Sequence, residues 1–100
     1  MIRIEWDENK NRSNQRKHGV SFEEAAQVFF DPLHASEQDR IEDGERRWQA
    51  IGMTAGLTLL VVAHTTTDHD EEGRAAEIIR IISARRAERN ERRRYEGENS

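Results

Sequence analysis

The chain has 100 residues, no cysteine, and a formal net charge of -4 from 16 basic and 20 acidic residues. That length supports one modest core rather than two, and the lack of cysteine excludes a disulfide framework, a thiolate metal site and a thiol nucleophile. The apolar fraction is only 34%, yet runs such as LTLLVV and EIIRII exclude a wholly disordered chain.

No apolar run approaches the length of a bilayer span, and MIRIEWDENK carries acids where a signal peptide needs an apolar stretch. The expectation is a cytoplasmic protein. Its charge is segregated: residues 78–95 hold seven arginines against two glutamates, whereas residues 31–77 hold eleven acids against four arginines. A chain that is acidic overall can therefore present a basic face.

In chain order, IRIEW alternates apolar and charged residues and reads as a short first strand. Asp7 stands at the N-cap position of a helix over ENKNRSNQRKH, with Gly19 placed to end it. This helix has almost no apolar stripe, so it lies over the surface. In SFEEAAQVFF, Ser21 and Glu24 form a capping box, and Phe22, Ala25, Ala26 and Phe29 fall at helical spacing, with Phe30 at the margin. Asp31-Pro32 stops this second helix.

The remainder reads as a sheet. LHASEQ is a weak strand, RIEDGE a turn on Asp43-Gly44, and RRWQAIGM and LTLLVVAHT two strands joined at Thr54-Ala55-Gly56. DHDEEGRAA reads as a long polar loop and EIIRIIS as the last strand. ARRAERNERRRYE reads as a helix capped by Ser83, and GENS as frayed. The order predicts an α+β fold: a small antiparallel sheet of three to five strands, two N-terminal helices on one face and a C-terminal arginine-rich helix. One domain is expected over residues 1–96, with residues 97–100 as a tail.

The strands carry isolated polar groups among apolar ones. Thr58, Leu60, Val62 and His64 share one face of their strand, and Arg80 lies between isoleucines on the last strand. If the two strands are neighbours, His64 and Arg80 share the open side, where an imidazole moves a proton and a guanidinium neutralises phosphate. The plainer reading is that Arg80 snorkels and His64 merely ends a strand. His18, with Lys17 and Arg16, falls in the last turn of the first helix, where cations complement the dipole. His64, Asp68, His69 and Asp70 are close in sequence but have no fixed ligand geometry, so no metal site is expected. On the final helix, Arg85, Arg89 and Arg92 follow helical spacing, as do Arg86 and Arg93, with only Ala84, Ala87 and Tyr95 as an apolar edge. Such a helix is either a solvated face or a surface for phosphate or an acidic partner.

Taken together, "IEWDENKNRSNQRKHGVSFEEA", "VFFDP", "ERRWQAIG", "LLVVAHT" and "IRIISARRAERNERRRYE" resemble the BrnT family of bacterial type II toxins, in order over residues 1–96. The resemblance implies a RelE-like fold and a ribonuclease that blocks translation without a metal cofactor. It also implies a BrnA-type ribbon-helix-helix antitoxin as partner, with the complex bound to operator DNA and repressing its own operon. Matched by position, the catalytic candidates are His64, Arg80, Ser83, Arg85 and Arg86. Lys17 and His18 of "KHG" match too, and with Arg89, Arg92, Arg93 and Arg94 they are candidates for holding RNA or the partner. One departure stands out: after "AHT" the family commonly has a short turn with an arginine, where this chain has "TTDHDEEGRAA". Either Arg74 is its shifted counterpart or that arginine is absent.

The first reading is thus an endoribonuclease in which a general base activates the RNA 2′-OH and arginines bind phosphate. His64 is the proton-transfer candidate, with Arg80, Arg85 and Arg86 on phosphate. The competing reading is a non-catalytic module that docks an acidic partner or nucleic acid through its arginine helix. A plain structural domain is the third.

Overall fold

The capping signals at Asp7, Gly19 and Ser21 hold in the computed structural model, which describes residues 1–98. After strand β1 (Ile2–Trp6), Asp7 caps helix α1 (Glu8–His18), its carboxylate accepting from the Asn9 and Lys10 amides at 2.7 and 3.3 Å. Gly19 ends the helix at φ 68°, in the left-handed region that a side chain disfavours. Helix α2 (Phe22–Ala26) opens on the Ser21–Glu24 capping box and tightens into a 3₁₀ turn over Gln27–Phe30. Phe30 itself is exposed.

Strands β2 (Ala35–Glu42), β3 (Glu45–Met53), β4 (Leu59–Glu71) and β5 (Arg74–Arg86) form an antiparallel meander, and the sheet order is β1-β5-β4-β3-β2. The first strand departs from the expected all-antiparallel sheet, because β1 runs parallel to β5, with Ile4 beside Ile79 and Trp6 beside Ile81. Its apolar alternation specified which face it buries but not its direction. The sheet is therefore mixed.

Two further expectations change. The segment expected as a polar loop is the far end of a β4–β5 hairpin, turning on Glu72 and Gly73 at φ 53° and 77°. Two consecutive positive φ values match the right-handed twist of paired strands, and Asp43-Gly44 turns the β2–β3 hairpin the same way. Arg74, paired with Glu71, opens β5. The final helix, α3 (Arg89–Glu98), begins later than expected, because β5 stays paired with β4 as far as Leu60–Arg86. Ser83, Arg85 and Arg86 are strand residues, and Ser83 caps nothing. Of the expected frayed tail, Gly97 and Glu98 lie in α3 and residues 99–100 lie outside the described residues.

The core fills one face of the sheet. Val20, Phe22, Ala25, Val28 and Phe29 pack on Ala50, Leu60, Val62, Ile79, Ile81 and Ala84, and Trp6 meets Phe22 edge-on at 6.2 Å. Burying a side chain such as Phe22 contributes roughly 2–3 kcal/mol. Without an apolar stripe, α1 docks through buried asparagines. Asn14 donates to the Val20 and Ala84 carbonyls at 2.9 and 2.8 Å and accepts from the Ala84 amide, while Asn11 accepts from the Phe22 amide. The opposite face is only partly covered. There α3 seats Tyr95 near Ala35, Ile51 and Val61, leaving the rest of that face open.

Candidate functional site

Strand register separates the two residues the sequence had placed together. His64 pairs with Ile81 and Thr65 with Arg80, after a β-bulge next to Ala63. Ile79 and Ile81 both enter the core, so Arg80 between them faces the other way and is exposed. His64 is only 4% exposed and meets the Phe29 ring edge-on, with centroids 4.9 Å apart at 90°. The expected His64–Arg80 pair on one open face does not form.

His64 belongs instead to a cleft of about 260 Å³ on the core face, lined at one side by Phe29 of the 3₁₀ turn. Trp48 on β3 stands next to His64 in register, and Thr66 and Glu77 follow on β4 and β5, joined by a 3.1 Å bond from the Thr66 hydroxyl to the Glu77 carboxylate. Ser36 lines the β2 side and His34 the rim. Burial holds the His64 pKa below the ordinary imidazole value; the Thr65 backbone and the Glu77 charge oppose this in part, and His34 adds to it. The Thr65 backbone contact falls outside hydrogen-bond geometry, so neither ring nitrogen of His64 has a full hydrogen-bond partner among the described residues, and both lie below the surface. Leaving such groups unpaired costs about 1–3 kcal/mol each, which is a common mark of a functional position.

His34 owes its place to the Asp31-Pro32 break. The Asp31 carboxylate accepts from the Leu33 amide at 2.9 Å, and the Asp31 carbonyl takes the His34 amide at 3.1 Å and its ring Nδ1 at 2.7 Å. A carbonyl only accepts, so Nδ1 carries the proton and Nε2 is left for other chemistry. Gly52 on β3 permits the approach: a Cβ there would stand 2.7 Å from Val28 Cγ1 and 3.0 Å from His34 Cβ. The His34 ring lies 6.1 Å from Phe29, which thus contacts both imidazoles.

The other candidates lie elsewhere. Arg80 and Ser83 are exposed on the opposite face, Arg80 having Thr65 and Glu5 as strand neighbours. Arg85, on that same face, is engaged by Glu91 of α3 through two bonds of 2.7 and 2.8 Å. The pair moves both groups: hydrogen bonding to Glu91 raises the Arg85 pKa, and hydrogen bonding to Arg85 lowers that of Glu91. Arg86 is exposed at the end of β5, opposite Leu60. Lys17 and His18 are exposed in the last turn of α1. On α3, Arg92 meets Glu96 at 3.6 Å and Arg94 meets Glu37, while Arg89 and Arg93 are exposed. The structure thus places His64 alone, of the candidates, in the cleft.

Sequence reasoning missed His34, Trp48 and Glu77 as companions of His64. Period-2 signals for two of them were present: Trp48 alternates with buried Ala50 on β3, and Glu77 with Ile79 and Ile81 on β5. His34 had no local signal, since a turn brings it in. Among the described residues no group of three or more His, Asp or Glu side chains is placed to hold a metal ion. The His69 side chain lies outside the described residues.

None of the curated proteins compared with the chain matches it. The crystal structure of the Brucella abortus ribonuclease toxin BrnT is similar at 28% identity and a TM-score of 0.60, covering 89% of this chain and all of that one. Residues 6–91 match the family model described as the ribonuclease toxin BrnT of type II toxin–antitoxin systems. With that match over most of its length, the chain belongs to the BrnT family of type II ribonuclease toxins.

Proposed function

We propose that this chain is an endoribonuclease whose reaction centre is the cleft over β3, β4 and β5, with His64 as proton acceptor and His34 as proton donor. One observation carries the reading: His64 is kept neutral by burial at the wall of a cleft, with neither nitrogen engaged. A neutral imidazole is what a general base requires near neutral pH. It takes the proton of a ribose 2′-OH as that oxygen bonds to the adjacent phosphorus. The P–O5′ bond breaks, and the departing oxygen takes a proton from Nε2 of His34 in its imidazolium form, leaving the neutral Nδ1–H ring on the Asp31 carbonyl. The products are a 2′,3′-cyclic phosphate and a 5′-hydroxyl. In the free protein both His64 nitrogens are covered, so ribose reaches them as the cleft wall shifts while His34 stays on the Asp31 carbonyl.

The opposite face, with Arg80, Ser83 and the exposed Arg89 and Arg93, then holds flanking RNA or the partner. That partner is a ribbon-helix-helix antitoxin, and the pair binds the operator of its own operon. The free toxin acts in the cytoplasm, blocking translation without a metal ion.

The test is cleavage of a short RNA in EDTA, beside the same strand 2′-deoxy at the scissile position. Cutting of the RNA alone is expected, leaving a cyclic phosphate end. Cleavage of the deoxy strand, or loss of activity in EDTA, overturns the mechanism. RNA left intact by the folded protein in every condition favours the binding module instead.

A further inference from the structure

The geometry points to Tyr95, on the arginine helix, as a positioning residue for His34, acting through Asp31. The inference rests on the reading of His34 as proton donor and adds what sets its direction.

Asp31 stands between the two. Its Oδ2 accepts from the Tyr95 hydroxyl at 2.6 Å and from the Met53 amide at 2.8 Å, and its Oδ1 accepts from the Leu33 amide at 2.9 Å. Its carbonyl oxygen holds the His34 amide and ring Nδ1. An ionised carboxylate accepts only, so all three donors point at it and it cannot turn without losing one. The carboxylate fixes the residue, and the carbonyl of that residue fixes the imidazole. A bond spanning 64 positions of sequence thus reaches the cleft without entering it.

His34 is exposed, and the Asp31 carbonyl is the one hydrogen-bond partner that its ring has among the described residues. Without that partner, an imidazole exchanges its proton between Nδ1 and Nε2 and the ring turns freely. With it, the neutral ring is the Nδ1–H tautomer, and Nε2, facing away from Asp31, is the nitrogen that gains the second proton and gives it up. The seating of α3 and the direction of the donor nitrogen therefore change together.

The experiment is ¹⁵N imidazole NMR of the wild-type chain, Tyr95→Phe and Glu37→Gln, beside cleavage kinetics. Glu37→Gln removes another tether of α3, its ion pair with Arg94, without touching Asp31. The wild-type His34 signal is expected in the Nδ1–H tautomer. Tyr95→Phe moves it towards Nε2–H and lowers kcat about tenfold with KM little changed, a partial loss of an acid–base contribution of roughly 10²–10⁴. Glu37→Gln leaves the tautomer as in wild type. An Nε2–H signal in the wild-type protein overturns the inference, whether or not Tyr95→Phe folds. So does an unmoved tautomer in folded Tyr95→Phe. Failure of the underlying reading looks different: cleavage that survives His34→Ala unchanged removes His34 as donor.

Discussion

His64 and Arg80 sit one register step apart on neighbouring strands and face opposite sides of the sheet. Substituting them should therefore damage different steps. His64→Ala is expected to lower kcat by roughly 10²–10⁴ with RNA affinity kept, as removal of a general base does. Arg80→Ala is expected to weaken RNA binding and to reduce the slope of log affinity against log salt by about one, as loss of a single phosphate contact does. Equal falls in kcat for the two variants would show that one centre uses both groups.

Burial of His64 has a readable pH consequence. Its folded pKa lies below the unfolded value of about 6.5, and the base is active when deprotonated. The acid limb of kcat/KM should accordingly have its midpoint below about 6.5. Stability follows the same sign. The unfolded chain binds this proton more readily, so stability is full above about 6.5 and is lost as pH falls through the folded pKa. His64→Leu removes the titration and two unpaired buried nitrogens, so its melting temperature should exceed wild type by several degrees, ~4–8 °C per kcal/mol, with cleavage abolished. A melting temperature below wild type would mean that His64 is satisfied in solution.

Much of this architecture was legible in the sequence, and the losses have specific causes. Caps at Asp7, Ser21 and Gly19 are local chemistry and were read correctly. The outer end of the β4–β5 hairpin was missed because Asp68, Asp70 and Glu71 crowd its β4 side, and charge is a poor guide once the strands behind it hold the backbone pairing. Helix α3 was started too early because arginine tolerates strand and helix alike, and only the partner strand decided for Arg85 and Arg86. The faces of His64 and Arg80 depended on which strands are neighbours and on a bulge. Neither is written in either strand alone.

Arg85, a catalytic candidate in the sequence, grips Glu91 with both terminal nitrogens. Its side chain is 37% exposed, so solvent screens the pair and the net contribution is about 1 kcal/mol. Arg85→Ala and Glu91→Ala are expected to destabilise by similar amounts in urea unfolding, and the double variant by little more than either. Arg85→Lys should recover only part, because an ammonium cannot reproduce the two-pronged contact. Additive losses in the double variant would free Arg85 for another role.

Trp48 is half-buried beside His64 on the cleft wall. An indole there suits stacking on one unpaired nucleobase, so single-stranded RNA should be cut in preference to duplex. Trp48→Phe is expected to keep most affinity for a non-cleavable 2′-deoxy strand, and Trp48→Ala to lose about 10- to 100-fold. Equal binding by the two variants would assign Trp48 to packing alone.

Tyr95 is the only tyrosine in the chain, so tyrosinate absorbance near 295 nm reports on it alone. Burial first, then the hydrogen bond to Asp31 and its charge, push the Tyr95 pKa up to about 12 from an ordinary value near 10. The same bond helps hold the Asp31 carboxyl below its usual range: burial alone would raise it, and the donors from Tyr95, Met53 and Leu33, with His34, outweigh that. The sign for Tyr95 is that of a raised group. Its stabilisation is complete below about pH 10 and is lost as pH rises through about 12. Absorbance in the native protein should therefore stay flat through pH 10 and rise towards 12, whereas the chain in urea should titrate near 10. Replacing Asp31 with asparagine removes the charge and is expected to lower the native midpoint. A native midpoint already near 10 would mean that α3 is not seated on Asp31 in solution, and the coupling from Tyr95 to His34 would fall with it.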